Sequence, residues 1–421
     1  MDIKKISLFR IAAMLLTGCA MGFLLLTAVF CLPVSGMKES RETAEAFRRE
    51  GDRPNVIPVY EGARLDNYTD AVMLAEAIFE DPEISPLRKA VYAYRRAGSD
   101  SAAADLAAQL EGESLPWVIG YTRYWHGFLV VLRPLLLLFS YADIRMLISS
   151  SQMVFFALFL VRLVQKNRTE LALPFLAVVL TLSPTGTMIS MQFFAVYAIT
   201  MLGLMAVLNQ DAWLRQGARY FYFFVFLGML TCYFDFLTYP LVTLCLPLLL
   251  VLALHADEPD MLRFCIAACI AWGVGYIGLW ALKWIAGSFL VGENLVRNAY
   301  YHTQYQVSLA DSETGSRLEA ITENIKVLLR PGYLAVYAGC ALASVVSFIR
   351  RRGSVRMLFY GARGLMPLVG LVPFVWWVFA ASHSIAHSFF THRLLTITVF
   401  ALMGWMASVQ PDKEQKSDKK M

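Results

Sequence analysis

The chain of 421 residues is 58% hydrophobic and only 16% charged, whereas a soluble domain carries roughly a quarter charged residues. Such a composition excludes an ordinary water-soluble protein and places most of the chain in lipid. The net charge of +5 requires no nucleic acid, because Lys and Arg collect in the short connections that a positive-inside topology puts in the cytoplasm. The seven Cys fall almost entirely inside apolar runs, so neither a disulfide framework nor a zinc site is implied.

Lys4, Lys5 and Arg10 precede an apolar run from about Ile11 to Val34. The run is long for a signal-peptide core and suits a membrane span, so it reads as a retained first helix with its N-terminus inside. The first loop, residues 37–127, is polar, with amphipathic patches at Ala71 to Phe79, Leu87 to Tyr94 and Ala102 to Leu110. These predict helices lying on the membrane, too little for an independent enzyme domain. Phe128 to Tyr141 is apolar except for Arg133. As a helix it reaches about 21 Å, short of a hydrocarbon core of about 30 Å, so it is expected in the interface.

Further spans are expected at about 146–164, 171–184, 190–208, 220–236, 240–255, 264–282, 333–349, 365–381 and 394–409. The connections placed inside hold Arg162, Lys166 and Arg168, then Arg215 and Arg219, Arg263, Arg350 to Arg352 with Arg356 and Arg363, and a basic tail at 410–421. Ten spans with both termini cytoplasmic satisfy the positive-inside rule. The expected fold is a single all-α polytopic membrane domain, residues 1–421, with a helical first extracytoplasmic loop. No P-loop, dinucleotide fingerprint or zincin motif occurs, which argues against ATP-driven and dinucleotide chemistry.

The candidate chemistry sits in the connections on the outer side. In Asp66-Asn67-Tyr68-Thr69-Asp70, two carboxylates at i and i+4 share a helix face if the stretch is helical; equally, Asp66 is a good N-cap for the residues after it. In Tyr121 to Gly127, the two Tyr and Trp125 read as an aromatic belt, while Arg123 and His126 are donors for an anion. Asp235 interrupts an apolar stretch, which marks a functional candidate or the cap of a helical hairpin that Pro240 reopens. Lys283 follows the seventh span, where snorkelling to the headgroups is the ordinary explanation. His383, His387, His392 and Arg393 bring together three of the six His. No third carboxylate supports a metal there, and a cationic cluster recognising phosphate is the simpler reading.

The order of these parts resembles the GT-C superfamily of membrane glycosyltransferases, which includes lipid A aminoarabinose transferases and protein O-mannosyltransferases. A first span leads to Asp66 before a polar and aromatic helix, with Asn67 standing where members often carry a second acid. Trp125-His126-Gly127-Phe128-Leu129 through Arg162-Leu163-Val164-Gln165-Lys166 is similar to the family's interfacial helix and basic-ended span, without its prolines. Leu180-Thr181-Leu182-Ser183-Pro184 and Arg393 before Leu394-Leu395 resemble two further family features. The likeness covers residues 1–210 and 383–409 and is loose between.

The resemblance implies transfer of a sugar from a polyprenyl-phosphate carrier to an extracytoplasmic acceptor, in a multi-pass protein of the plasma membrane. Asp66 takes the role of base for the acceptor hydroxyl, and single displacement then inverts the anomeric centre. Arg393, assisted by His387, Lys283 or Arg123, meets the leaving phosphate; Asp70 and Asp235 hold the acceptor or orient the cations, and His126 and His383 complete the substrate-binding set. No cofactor is required, although the chemistry admits a divalent cation such as Mg²⁺ or Mn²⁺. The partners implied are the lipid-linked sugar, membrane lipid and the acceptor, with no nucleic acid. The rivals are an oligosaccharide polymerase or ligase, a lipid-sugar transporter or flippase, and a scaffold without catalysis. The transferase reading requires Asp66 and Arg393 to share one cavity at the outer leaflet.

Overall fold

The structure is a computed structural model in which residues 3–37, 40–307, 316–351 and 355–409 are described; the basic tail at 410–421 and Arg352 lie outside these residues. Helix α1 (Leu8–Val29) leads into a loop region holding α2 (Arg41–Glu50), α3 (Asn67–Ala77), α4 (Pro86–Tyr92) and α5 (Ala102–Leu110). Its only strands among the described residues are β1 (Arg95–Ala97) and β2 (Trp117–Ile119), paired antiparallel. The three expected amphipathic patches coincide with α3, α4 and α5. Yet α3 does not lie on a membrane surface, because nine of its eleven residues are buried within the protein. Facing helices α3 and α5 are rich in Ala, and small side chains let them pack closely.

The short helix α6 (Leu129–Leu136) follows. Expected in the interface, it is instead drawn inward by Arg133, which is fully buried. Its guanidinium donates to the carbonyls of Val29 (2.8 Å), Leu32 (3.0 Å) and Ala77. Val29 and Ala77 are the last residues of α1 and α3, where helix carbonyls lack intrahelical partners. One buried cation thus joins three elements.

The remainder is α7 (Tyr141–Gln165), α8 (Ala172–Thr181), α9 (Pro184–Thr187), α10 (Met191–Leu214), α11 (Arg219–Phe234), α12 (Val242–Leu254), α13 (Leu262–Val291), α14 (Leu295–Val307), α15 (Arg317–Leu328) and α16 (Pro331–Arg350). Short helices at Val355–Leu358 and Ala381–Ala386 each precede a segment of consecutive helices, Gly361–Phe379 and Ser388–Ala407, and these complete the described residues. Among the described residues seven helical segments are long and apolar enough to cross a membrane: α1, α7, α10, α13, α16 and these last two. Thr169–Thr181, α11 and α12 are shorter apolar helices, and they stand where the other three expected spans were placed. The protein is an all-α, polytopic membrane protein.

Helices α11 and α13 meet backbone to backbone. A Cβ at Gly228 would lie 2.2 Å from the Trp272 carbonyl oxygen, and one at Gly275 would lie 2.0 Å from that of Val225. Between spans, where lipid supplies no hydrophobic drive, such small-residue contacts are what holds helices together.

The bundle has two unlike ends. At one, Arg168 donates to the Leu254 carbonyl (3.2 Å), Arg215 forms a two-pronged pair with Glu258 (2.6 and 2.8 Å), and Arg351 donates to the Ala407 carbonyl (2.9 Å). The N-terminal end is tied there too, through Ser7 N–H to the Tyr222 hydroxyl (2.9 Å). Both ends of the described chain therefore share this basic face. The first loop and every candidate site residue lie at the other, the loop face.

Candidate functional site

A cavity of about 210 Å³ opens on the loop face. Its polar lining is Asp66, Thr69, Arg53, Arg123, Gln192, His383 and His387, and its aromatic lining is Tyr68, Tyr121, Tyr124, Phe236 and Phe390. Four residues singled out in the sequence are thus brought together from three distant segments. Beside it lies an apolar crevice of about 90 Å³, walled by Trp280, Trp284, Trp376, Phe379 and Leu237, which shares Arg123 and Tyr124 with the cavity.

Asp66 is both cap and wall. Helix α3 begins at Asn67, and the Asp66 carboxylate accepts from Thr69 N–H (3.1 Å) and the Thr69 hydroxyl (2.9 Å). Its own N–H donates to the Ser190 hydroxyl (3.2 Å), which ties the loop to the start of α10. Burial pushes its pKa up to about 6, against the Thr69 hydrogen bonds that favour the anion. A carboxylate tuned in this way is suited to taking a proton near neutrality.

Asp70 does not join it, because only Asp66 precedes the helix. The Asp70 carboxylate accepts from the Tyr141 hydroxyl (2.9 Å) and from Met191 and Gln192 N–H (3.0 and 3.1 Å). It caps the N-terminus of α10, where backbone N–H groups want an acceptor, and no part of it lines the cavity. Asp235 is likewise a cap: it accepts from Thr238 N–H (3.0 Å) and the Thr238 hydroxyl, and its neighbour Phe236 reaches the cavity instead.

His383 and His387 do line the cavity, but not as cations. His383 Nε2 donates to the Leu237 carbonyl (2.8 Å), leaving Nδ1 as a bare acceptor without a partner. Burial lowers the pKa of His383 to about 4 and that of His387 to about 3. The cationic histidine cluster expected from the sequence is therefore a neutral one. His392 is buried outside the cavity with Nδ1 on the Ser388 carbonyl (3.0 Å).

Arg393 does not line the cavity that holds Asp66. It is fully buried, and its guanidinium is spent on the carbonyls of Leu182 (2.9 Å), Phe389 (3.0 Å) and Gly62 (3.2 Å) while lying 4.2 Å over the Phe193 ring. It shares the loop face with Asp66, through Gly62, but is a brace inside the wall. The positive charge at the cavity comes from Arg53 and Arg123, whose guanidiniums lie 5.3 Å over the rings of Phe389 and Tyr121 respectively.

His126 and Lys283 also sit behind the wall. Lys283 does not snorkel; it is fully buried, with no hydrogen-bond partner for Nζ. His126 bonds Glu76 through Nδ1 (2.8 Å) and the Tyr121 carbonyl through Nε2 (2.6 Å). No protein-family model matches the sequence, and no curated protein or solved structure matches it either. The site must be read from its own geometry.

Three residues escaped the sequence reading. Arg53 lies in a loop with many other charges and carries no distinguishing pattern. Gln192 opens an apolar span, where its side-chain oxygen is buried without a partner. Glu76 did carry a signal, being a carboxylate inside the apolar run Ala71 to Phe79. Among the described residues no group of three or more His, Cys, Asp or Glu gathers as a metal site.

Proposed function

We propose that the protein is a membrane glycosyltransferase that moves a sugar from a polyprenyl-phosphate carrier to an acceptor on the loop face, which is then the extracytoplasmic side. The sequence reading required Asp66 and Arg393 in one cavity; Arg393 instead stands behind the wall, near enough to Asp66 for the charges to interact but not lining the cavity, so the reading is rebuilt on other residues. What supports the reading is one observation: a single buried carboxylate and two arginines line one cavity whose wall continues into an aromatic, apolar crevice. A ligand matching both has a hydroxylated, anionic head and an isoprenoid or acyl tail.

In this account Asp66 accepts the proton of the acceptor hydroxyl as its oxygen attacks the anomeric carbon. The bond from that carbon to the carrier phosphate breaks, and the phosphate leaves as an anion toward Arg53 and Arg123, which replace Arg393 and the histidines in that role. Attack opposite the leaving group inverts the anomeric centre. The basic opposite face, with both ends of the described residues, faces the cytoplasm by the positive-inside rule.

One observation favours a transporter instead, namely Lys283, an unpartnered ionisable group within a span. It sits near the loop-face end of α13, beside Glu76 and His126, rather than along a path through the bundle, and the transferase reading is preferred. The test is Asp66→Asn in cells that carry the protein: the side chain still caps α3 but cannot accept the proton. Loss of the transferred sugar at normal expression supports transfer; full activity points to a transporter or a scaffold.

A further inference from the structure

Segment Tyr121–Gly127 is a strap across the cavity, and it is fastened from behind. Trp280 and Trp284 donate from their indoles to the Arg123 carbonyl (2.5 and 3.1 Å), Trp125 donates to the Leu279 carbonyl (3.0 Å), and Gly127 N–H donates to the Tyr233 carbonyl (2.9 Å). Tyr121 N–H donates to the Tyr92 carbonyl (2.5 Å), and a further fastening is His126, whose backbone is held at φ +56°, a conformation that costs energy for any residue with a side chain. Its ring lies between two acceptors, the Tyr121 carbonyl and the Glu76 carboxylate. The carbonyl takes the Nε2 hydrogen. The contact between Nδ1 and Glu76, 2.8 Å, then needs one more proton, carried by either partner; without it two lone pairs face each other.

We propose that Glu76 and His126 share one proton that locks the Tyr121–Gly127 strap against the cavity, so that both are positioning residues for Tyr121, Arg123 and Tyr124, and loss of that proton frees the strap. Burial favours the uncharged form of each, holding Glu76 well above and His126 well below its ordinary pKa, which places the proton on Glu76 as a carboxylic acid donating to Nδ1. The charged and titratable groups around the pair are Arg95 from β1, Lys283 from α13 and Tyr121 from the strap itself, with Cys232 of α11 beside Lys283. Arg95 and Lys283 pull Glu76 toward its anion, opposing burial. The lock therefore holds at low and neutral pH and is lost as pH rises through the raised pKa.

The inference needs no substrate, so its test stands apart from glycosyl transfer. Hydrogen–deuterium exchange of peptides covering the strap, corrected for intrinsic rates, is followed against pH on the full chain in nanodiscs. Wild type should lose protection at alkaline pH by roughly tenfold, the worth of one buried hydrogen bond. Glu76→Gln keeps a donor for Nδ1 that does not titrate, and should stay protected throughout; Glu76→Leu should show the roughly tenfold lower protection at every pH. A difference infrared spectrum, wild type minus Glu76→Gln, should show a protonated carboxyl band at neutral pH, a readout that survives misfolding of the Leu variant. An alkaline loss that persists in Glu76→Gln, or absence of that band, overturns the proposal.

Discussion

Arg393 offers the sharpest separation of a structural cation from a binding one. Arg393→Met removes the donors that satisfy the Leu182, Phe389 and Gly62 carbonyls and the stacking on Phe193. Each buried carbonyl left without a donor costs about 1–3 kcal/mol. Removing a guanidinium from the interior recovers part of its desolvation cost, so the net loss is expected at about 2–4 kcal/mol. Thermal unfolding in detergent, followed by tryptophan fluorescence, should show a clearly lowered midpoint. Binding of polyprenyl phosphate by the fraction that remains folded should be unchanged. A variant with wild-type thermal stability and weakened lipid binding would show that Arg393 meets the phosphate after all, and would refute the assignment of that charge to Arg53 and Arg123.

Arg53→Gln and Arg123→Gln should do the reverse, weakening polyprenyl-phosphate binding about tenfold or more, as loss of a charge-assisted contact does, with thermal midpoints near wild type. Transfer should rise with pH through about 6, because Asp66 acts as a base only when ionised. The folded pKa of Asp66 is raised, so its contribution to stability is complete below the ordinary Asp range and is lost as pH rises through about 6; activity and stability should therefore move oppositely across that window, as pH–rate and pH–melting curves would show. His383 and His387 stay neutral through this range, so the pH dependence of phosphate affinity measured by calorimetry, which Asp66 and the phosphate itself impose, should be the same in wild type and in His383→Gln and His387→Gln; a rise on acidification that those variants abolish would restore the cationic cluster.

Much of the architecture was legible because hydropathy reports directly on what lipid tolerates. Even α11 and α12, below crossing length in the fold, announced themselves as apolar runs. Asp66 was legible as an N-cap, since an acid before a polar helix start is a local pattern, and the same side chain also lines the cavity. Arg133 and Arg393 were not legible. An arginine that spends its donors on carbonyls brought from distant parts of the chain has the same local sequence as one that binds a ligand. The histidines misled for a related reason, as their charge depends on burial, which spacing does not reveal. Glu76 was visible by the same rule that flagged Asp235, an ionisable residue in an apolar run, yet in the fold Asp235 is a turn cap and Glu76 the partner of His126.

The central claim is that Asp66 drives sugar transfer at the loop face. Mass spectrometry of cell-surface polymers from cells carrying wild type or Asp66→Asn, matched for membrane abundance, tests it most directly. The account predicts that one sugar residue disappears from a surface polymer in the variant while its lipid-linked donor accumulates. Identical polymers from both cells would contradict it.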